Sequence, residues 1–243
     1  MNLIIDIGNN SVKSAFIRDG QIVESGRHAS TDEIAGFLEN ECSRFEKTII
    51  STVVDITAAF TERISKMTSY LHLLSHKSFF PFSVDYDTPE TLGMDRLAAV
   101  AWAYNKYRNG NVLVIDAGSA ITFDLLTGGR YTGGTISPGM QMRFRALNSF
   151  TGRLPLVSPD RNVEFPARST TDAINSGVIK GIVYEINEYI CKFEKEYSQP
   201  MVLLTGGDAG FLADKLRGNA VVDTDLVTKG LNYILEYNAD KEV

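Results

Sequence analysis

Residues 2–13 read NLIIDIGNNSVK, and residues 111–124 read NVLVIDAGSAITFD. Each starts as an apolar run, reaches an aspartate (Asp6, Asp116), and turns through a glycine (Gly8, Gly118) into small polar residues. A carboxylate ending a buried strand calls for a reason, because in α/β proteins the carboxyl ends of central strands are where ligands bind. Two such turns at matching places in the two halves of the chain point to an internal duplication. That repeat weighs more in assigning a fold than either turn alone.

The pattern around the two turns supports it. In the first half, the strand over 2–6 is followed by SVKSAFIR, by Asp19-Gly20, and by QIVESGR; glycine tolerates the positive φ of a tight hairpin, so these read as three strands in a meander. Residues 30–45 predict a helix, with Ser30 and Glu33 at capping-box spacing and Ile34, Phe37, Leu38 and Phe45 near helical period. A strand over 47–54, a helix over 57–69, a strand over 70–74, an irregular loop over 78–93 and a small-residue helix over 95–107 follow. After Gly110 the order restarts with three strands and Gly-rich turns. Helices over 140–150 and 170–197, a strand over 200–207 and a last pair of helices ending near Tyr237 complete it. The expected architecture is α/β: a first lobe at 1–109 and a second at 110–243, mixed sheets flanked by helices, with a cleft where the lobes pack.

Composition narrows the function. A chain of 243 residues suits one large domain or two small lobes. A net charge of -6 repels nucleic acid, so no nucleic-acid partner is expected. Two cysteines, Cys42 and Cys191, give no disulfide framework and fit a reducing cytoplasm. Both lie in helical patterns and read as small core residues. The chain starts directly on a strand, so no signal peptide is expected, and no apolar run approaches the roughly 20 residues of a membrane helix. A cytoplasmic protein without a membrane partner is the expectation.

The turns suggest phosphate chemistry. GNNSVK offers backbone N–H groups, amides, a hydroxyl and Lys13, which can cradle phosphate while Asp6 holds a hydrated Mg2+. Asp116, Ser119, Thr122 and Asp124 repeat the offer. Neither G-x-x-x-x-G-K-[ST] nor G-x-G-x-x-G is present, so ATP would have to be bound by the paired turns. TGGDAGF (205–211) is a third strand-to-helix turn, read either as a seat for adenine and ribose or as a tight βα connection. Asp95 and Arg96 stand at the mouth of a helix. Asp95 either caps that helix or takes a proton from a substrate hydroxyl during phosphoryl transfer, and the guanidinium fork of Arg96 suits an anionic substrate.

DIGNNSVK (6–13), YDTPETLGMDR (86–96), DAGSAITFD (116–124), GGTISPG (133–139), TTDAINSG (170–177) and TGGDA (205–209) occur in the order found in type III pantothenate kinases, and the chain resembles that family from Asp6 to Ala209. The resemblance implies two actin-like (ribonuclease H-like) lobes of the acetate and sugar kinase/Hsp70/actin superfamily. It implies ATP-dependent phosphorylation of pantothenate, the first step of coenzyme A synthesis, by a homodimer that needs Mg2+ and a monovalent cation, K+ or NH4+. Carried over by residue, the phosphate turn is Asp6, Ile7, Gly8, Asn9, Asn10, Ser11, Val12 and Lys13. Gly93, Met94, Asp95 and Arg96 form the substrate segment, with Asp95 as general base. Tyr86 lines the pantothenate pocket, Asp116 serves the monovalent cation, Ser119 meets the nucleotide, and Thr171 reaches pantothenate from the partner subunit. Asn10 and Ser119 stand where the family commonly has threonine; Ser119 keeps the hydroxyl.

Other signals point elsewhere. His72 and His76 are four apart, but LHLLSH fits a strand and lacks further ligands for a metal. MRFRALNSFTGRLP (142–155) is locally basic and reads as an amphipathic helix face beside an interface. Ile174, Val178, Ile182, Ile186 and Ile190 form a stripe that is either core or dimer packing. Rival functions are another kinase or a polyphosphate-type phosphatase of the superfamily, and a nucleotide-sensing regulator without turnover.

Overall fold

The structure is a computed structural model that describes residues 1–9, 11–40 and 44–241. Asn10 and Cys42, both singled out from the sequence, lie outside the described residues. The chain divides into two units, Met1–Lys106 with Asp225–Val243, and Tyr107–Thr224. The second boundary was not anticipated: the final helix, placed by its sequence position in a 110–243 lobe, belongs to the first unit.

Unit 1 begins with β1 (Asn2–Ile7), β2 (Val12–Arg18), β3 (Gln21–His28), α1 (Thr31–Asn40), β4 (Phe45–Thr52), α2 (Ala58–Ser65) and β5 (Thr68–Leu73). A two-residue strand, β6 (Ser83–Val84), and a 3-10 turn (Pro89–Thr91) lead to α3 (Met94–Tyr107). The strand order is β3-β2-β1-β4-β5, antiparallel across β3-β2-β1 and parallel across β1-β4-β5. Asp19 and Gly20 both have positive φ (51° and 74°), the pair a two-residue hairpin needs to match strand twist. The forward half of the capping box is formed, with Ser30 Oγ accepting from Glu33 N, while the Glu33 carboxylate reaches one residue further back and accepts from Ala29 N.

Two boundaries differ from the sequence reading. Phe45 opens β4 and stacks on Phe16 with ring centroids 5.6 Å apart, instead of ending the first helix. Thr68 and Ser69 open β5 instead of closing the second helix. In both cases pairing to a neighbouring strand overrides local helical period.

Unit 2 holds β7 (Asn111–Ala117), β8 (Ala120–Thr127), β9 (Arg130–Pro138), α4 (Met140–Ser149), α5 (Thr170–Glu196), β10 (Pro200–Thr205), α6 (Ala209–Leu212) and β11 (Val221–Val222). Its strands run β9-β8-β7-β10-β11, with the same alternation of antiparallel and parallel pairs as unit 1. The duplication extends to the second hairpin, where Gly128 and Gly129 take φ of 56° and 78°. The isoleucine stripe of α5 is core: Ile174, Val178, Ile182, Ile186 and Ile190 pack with Ile115, Phe123 and Leu204 of the sheet. Cys191 is a free, half-buried thiol beside that stripe.

Each face of the unit 1 sheet has its own cover. The pleat sends Leu3, Ile5 and Ile7 toward Ile34 and Leu38 of α1 and Phe60 and Ile64 of α2. The opposite face carries Asn2, Ile4 and Asp6, and here α7 (Leu226–Ala239) packs on β1, β4 and β5. Polar pegs fix that helix: Asn2 Nδ2 donates to Asn232 Oδ1 (2.9 Å), and Lys47 pairs with Glu236. Asn238 exchanges two hydrogen bonds with the backbone of Phe79, each 2.9 Å.

Gly230 lets α7 approach α3. A Cβ there would sit 1.7 Å from the carbonyl oxygen of Ala98, a backbone atom that no rotamer change can move. Alanine would gain about 1 kcal/mol of helix propensity, but overpacking of this kind costs about 1–3 kcal/mol, and a backbone clash belongs at the upper end. Gly230→Ala is therefore expected to lower the urea midpoint with an unchanged slope. A midpoint at or above wild type would show that the helices separate freely.

Candidate active site

The site is built from the ends of strands. Asp6 and Asp116 each occupy the next-to-last position of the first strand of their unit. Register places them alike: Asp6 lies across from Lys13 on β2 and Ser51 on β4, and Asp116 across from Thr122 on β8 and Thr205 on β10. Ser51 and Thr205, each about 1% exposed, are small hydroxyl residues in equivalent places. The sequence reading missed both. The repeat itself carried the signal, since IST and LLT end the corresponding strands.

The two turns are not copies. Four residues, 8–11, separate paired Ile7 and Val12, and Gly8 N donates to Ser11 O (3.1 Å). Three residues, 118–120, separate Ala117 from Ile121, and Gly118 N donates to Ala120 O (2.9 Å). In and beside the longer first turn, Asn9 and Lys13 are exposed and Gly8 and Ser11 half-buried. Such a turn suits a large anion. Ile7 and Val12 are buried core residues, so their share in a phosphate site is limited to the main chain.

Asp95 belongs with Asp6. Burial pushes the Asp6 carboxyl above the usual range, and the nearby Asp95 carboxylate adds to the rise, while the Lys13 ammonium opposes it. The Ser51 hydroxyl also faces Asp6, but Ser51 Oγ has no partner at normal hydrogen-bond geometry, so its pull is weak. Unit 1 thus gathers two carboxylates and an ammonium that come from two separate sequence motifs. Asp95 lies in the first turn of α3 and is not its N-cap residue. Its Oδ1 accepts from Arg96 N (2.9 Å). Gly93 makes room for that carboxylate: a Cβ there would come within 2.5 Å of Asp95 Oδ1. Arg96 is buried with its guanidinium 6.0 Å from the Tyr86 ring centre, and Met94 is buried beside it. Tyr86, Gly93, Met94, Asp95 and Arg96 therefore share one neighbourhood of unit 1.

In unit 2 the surroundings of Asp116 are set by two glycines. A Cβ on Gly206, whose φ is 95°, would lie 2.4 Å from both Asp116 Oδ1 and Ala117 O. Asp208 N donates to that same Ala117 oxygen (2.8 Å). Gly139 presses on the turn from the other side, with Gly139 N donating to Ser119 O (3.2 Å). The first role of the Gly206 turn is thus close packing on the second acidic turn. Burial pushes the carboxyl of Asp208 upward as well. Ser119 is exposed, and Thr171 is exposed in the first turn of α5, which Ser169 caps by accepting from Asp172 N.

Asp124 does not join the phosphate-binding groups. It is 1% exposed, with Oδ1 accepting from Tyr131 (2.9 Å) and Oδ2 from Thr122 (3.0 Å). Its carboxylate satisfies hydroxyls within the sheet, and Thr122 directs its own proton there. His72 is likewise engaged on β5, bonding Ser78 (2.8 Å) and Tyr70 (3.3 Å).

The raised Asp6 carboxyl has a consequence for stability. Its folded proton affinity exceeds the unfolded value, so the ionised form disfavours folding once pH rises above the usual carboxylate range. Asp6→Asn removes that charge and is expected to melt above wild type at pH 7 without ligand. The difference should shrink as pH falls and wild-type Asp6 takes up its proton. Equal melting of both proteins at pH 7 would show that the carboxylate is not strained by burial.

Comparison with known proteins fits these features. A family model described as type III pantothenate kinase matches residues 2–192. A type III pantothenate kinase of Phocaeicola vulgatus is 43% identical over 241 residues, 98% of this chain and 99% of the relative. One of Christiangramia forsetii is 37% identical over 241 residues, again 98% and 99%. Among solved structures, a chain from Campylobacter jejuni named as a Baf family transcriptional activator is similar with a TM-score of 0.64 at 27% identity, covering 98% of this chain and 99% of that one. A 2-dehydro-3-deoxygalactonokinase protein from Sinorhizobium meliloti aligns at 0.60 and 14% identity, covering 100% and 99%, a likeness of fold alone. The repeated strand order and these neighbours make the architecture actin-like, and the chain belongs to the type III pantothenate kinase family, whose members are kinases.

Proposed function

We propose that this chain transfers the γ-phosphoryl group of ATP to the primary hydroxyl of pantothenate, giving 4'-phosphopantothenate at the start of coenzyme A biosynthesis, with Asp95 as general base. The observation that carries the reading is the pairing of Asp95 with Asp6. A carboxylate suited to accept a proton stands within electrostatic reach of the turn suited to hold phosphate. Family membership supports the substrate.

In this reading the backbone and side chains of Asp6 to Lys13 hold the triphosphate, with Lys13 offsetting its charge, and Ser119 touches the nucleotide. Arg96, whose guanidinium faces the Tyr86 ring, binds the anionic end of pantothenate. Asp95 accepts the hydroxyl proton as the alcohol oxygen bonds to the γ-phosphorus. The bond from that phosphorus to the β,γ-bridging oxygen breaks, and ADP leaves. Catalysis comes mainly from alignment and charge.

The donor set fits Mg2+. Asp6 and Asp95 repel each other, and a divalent ion relieves that. Among the described residues no three His, Cys, Asp or Glu side chains form a metal cage. Mg2+ commonly uses one or two carboxylates with phosphate oxygens and water, so Asp6 would hold it together with ATP. Bound there, it would offset part of the charge of the triphosphate. Asp116 would hold the monovalent cation, K+ or NH4+.

Asp95→Asn tests the central role. It is expected to keep the fold and Mg-ATP binding and to lose about 10^2–10^4-fold in phosphopantothenate formation. Near-wild-type turnover would remove Asp95 from the role. A second reading, a nucleotide-sensing regulator, is favoured by the name of the Campylobacter jejuni neighbour. Turnover with pantothenate decides against it, and a substrate panel separates pantothenate from sugars and acetate.

We also propose a homodimer in which Thr171 of a second copy reaches pantothenate. The apolar side chains of Phe150, Leu156, Phe165 and Tyr184, all in unit 2 and 61% to 88% exposed, offer apolar surface that a second copy would cover. Light scattering is expected to give twice the chain mass, and a monomer at assay concentration would exclude the shared site. No helix among the described residues is long and apolar enough to cross a membrane. A cytoplasmic location goes with the proposed substrate.

A further inference from the structure

We infer that Arg143 of α4 is a positioning residue for the nucleotide side of the reaction, acting through the Ser137–Gly139 turn on Ser119. This rests on the reading above that Ser119 meets ATP. The sequence offered Arg143 only as part of a locally basic helix face, and the reaction as described does not use it.

Nε and Nη2 of the guanidinium are both engaged. Nε donates to Pro138 O (2.7 Å), Nη2 donates to Ser137 Oγ (3.2 Å), and Nη2 also pairs with Glu185 of α5. The backbone N of Arg143 donates to Gly139 O (3.0 Å). Helical side chains lean toward the N-terminus of their helix, so Arg143 folds back over the turn from which α4 starts. Both ends of the pair are three-quarters or more covered, at 22% and 25% exposure. Charge-assisted bonds in such a setting hold geometry better than exposed ones.

The held turn has no slack against the second acidic turn. Pro138 pairs with Ala120 at the end of the β8–β9 ladder, and Gly139 N donates to Ser119 O. A Cβ on Gly139 would lie 2.2 Å from Gly118 O and 2.4 Å from Ser119 O. Packing this close passes a displacement on instead of absorbing it. A shift of Pro138 or Gly139 therefore moves Ser119, and misplacement by about 1 Å at a reacting group can cost about 100-fold. A lysine at 143 has one ammonium and cannot serve Pro138, Ser137 and Glu185 in one plane.

The bland alternative is that Arg143 and Glu185 only clamp α4 to α5. Steady-state kinetics on the full chain separate the two. Arg143→Lys is expected to raise KM for ATP about tenfold while KM for pantothenate stays within about twofold, because Tyr86, Asp95 and Arg96 lie in unit 1 and Thr171 lies in the first turn of α5, about four turns before Glu185. Glu185→Ala should act in the same direction but less, and it serves if the first variant does not fold. Equal changes in both KM values, or a lowered melting temperature with both KM values unchanged, would overturn the inference. Calorimetric titration of wild type and variant with ADP reads nucleotide affinity without turnover. If wild type binds ADP but does not phosphorylate pantothenate, the functional proposal fails while the affinity ratio still decides the role of Arg143. If wild type binds no nucleotide, both fail.

Discussion

The fold is arranged around a carboxylate that burial disfavours. Asp6 sits near the end of the central strand of unit 1, on the face that also carries Ile4, with Asp95 adding repulsion and Lys13 as a nearby counter-charge. Nothing in packing the sheet requires an acid at that position; an apolar residue there would be more favourable. Retaining a group that costs stability is usual where the group has a task, and a charged ligand would offset the cost on arrival. The lengthened turn beside Asp6, with Asn9 exposed, is consistent with that.

Unit 2 repeats the scheme with a different emphasis. Its turn is a residue shorter and is enclosed by Gly139 on one side and Gly206 on the other, both at distances that exclude a side chain. The first turn is longer and leads into Lys13 on β2; the second is closely enclosed and carries Ser119. One architecture, duplicated, yields one turn suited to a polyanion and one suited to fixing a single small group. The divergence lies in turn length and glycine placement, while strand order and hairpin φ angles stay the same.

Much of this was legible in residues. Alternation and Asp19-Gly20 gave the meander, the capping box gave the start of α1, and the two Asp-x-Gly turns gave the repeat. Local pattern failed where distant pairing decides: Phe45 and Thr68 sit in helical period but join strands because β4 and β5 offer ladder partners. Ser51 and Thr205 had only the repeat as a signal, because a hydroxyl in an apolar strand looks incidental until register sets it beside an acid. Asp124 erred the other way. It had the right type and the right neighbourhood, but Tyr131, seven residues on, returns across the sheet to claim it. The coupling of Asp6 to Asp95 spans 89 positions, and only shared motif order suggested it.

The return of α7 to unit 1 carries a consequence for biogenesis. Residues 107–224 form a contiguous unit, whereas unit 1 needs its first 106 residues and the helix at 226–239. Until that helix leaves the ribosome, the face of β1 and β4 bearing Ile4 and Ile49 lacks its cover, and Asn2 and Lys47 lack their partners on α7. The portion translated first is therefore the last that can close.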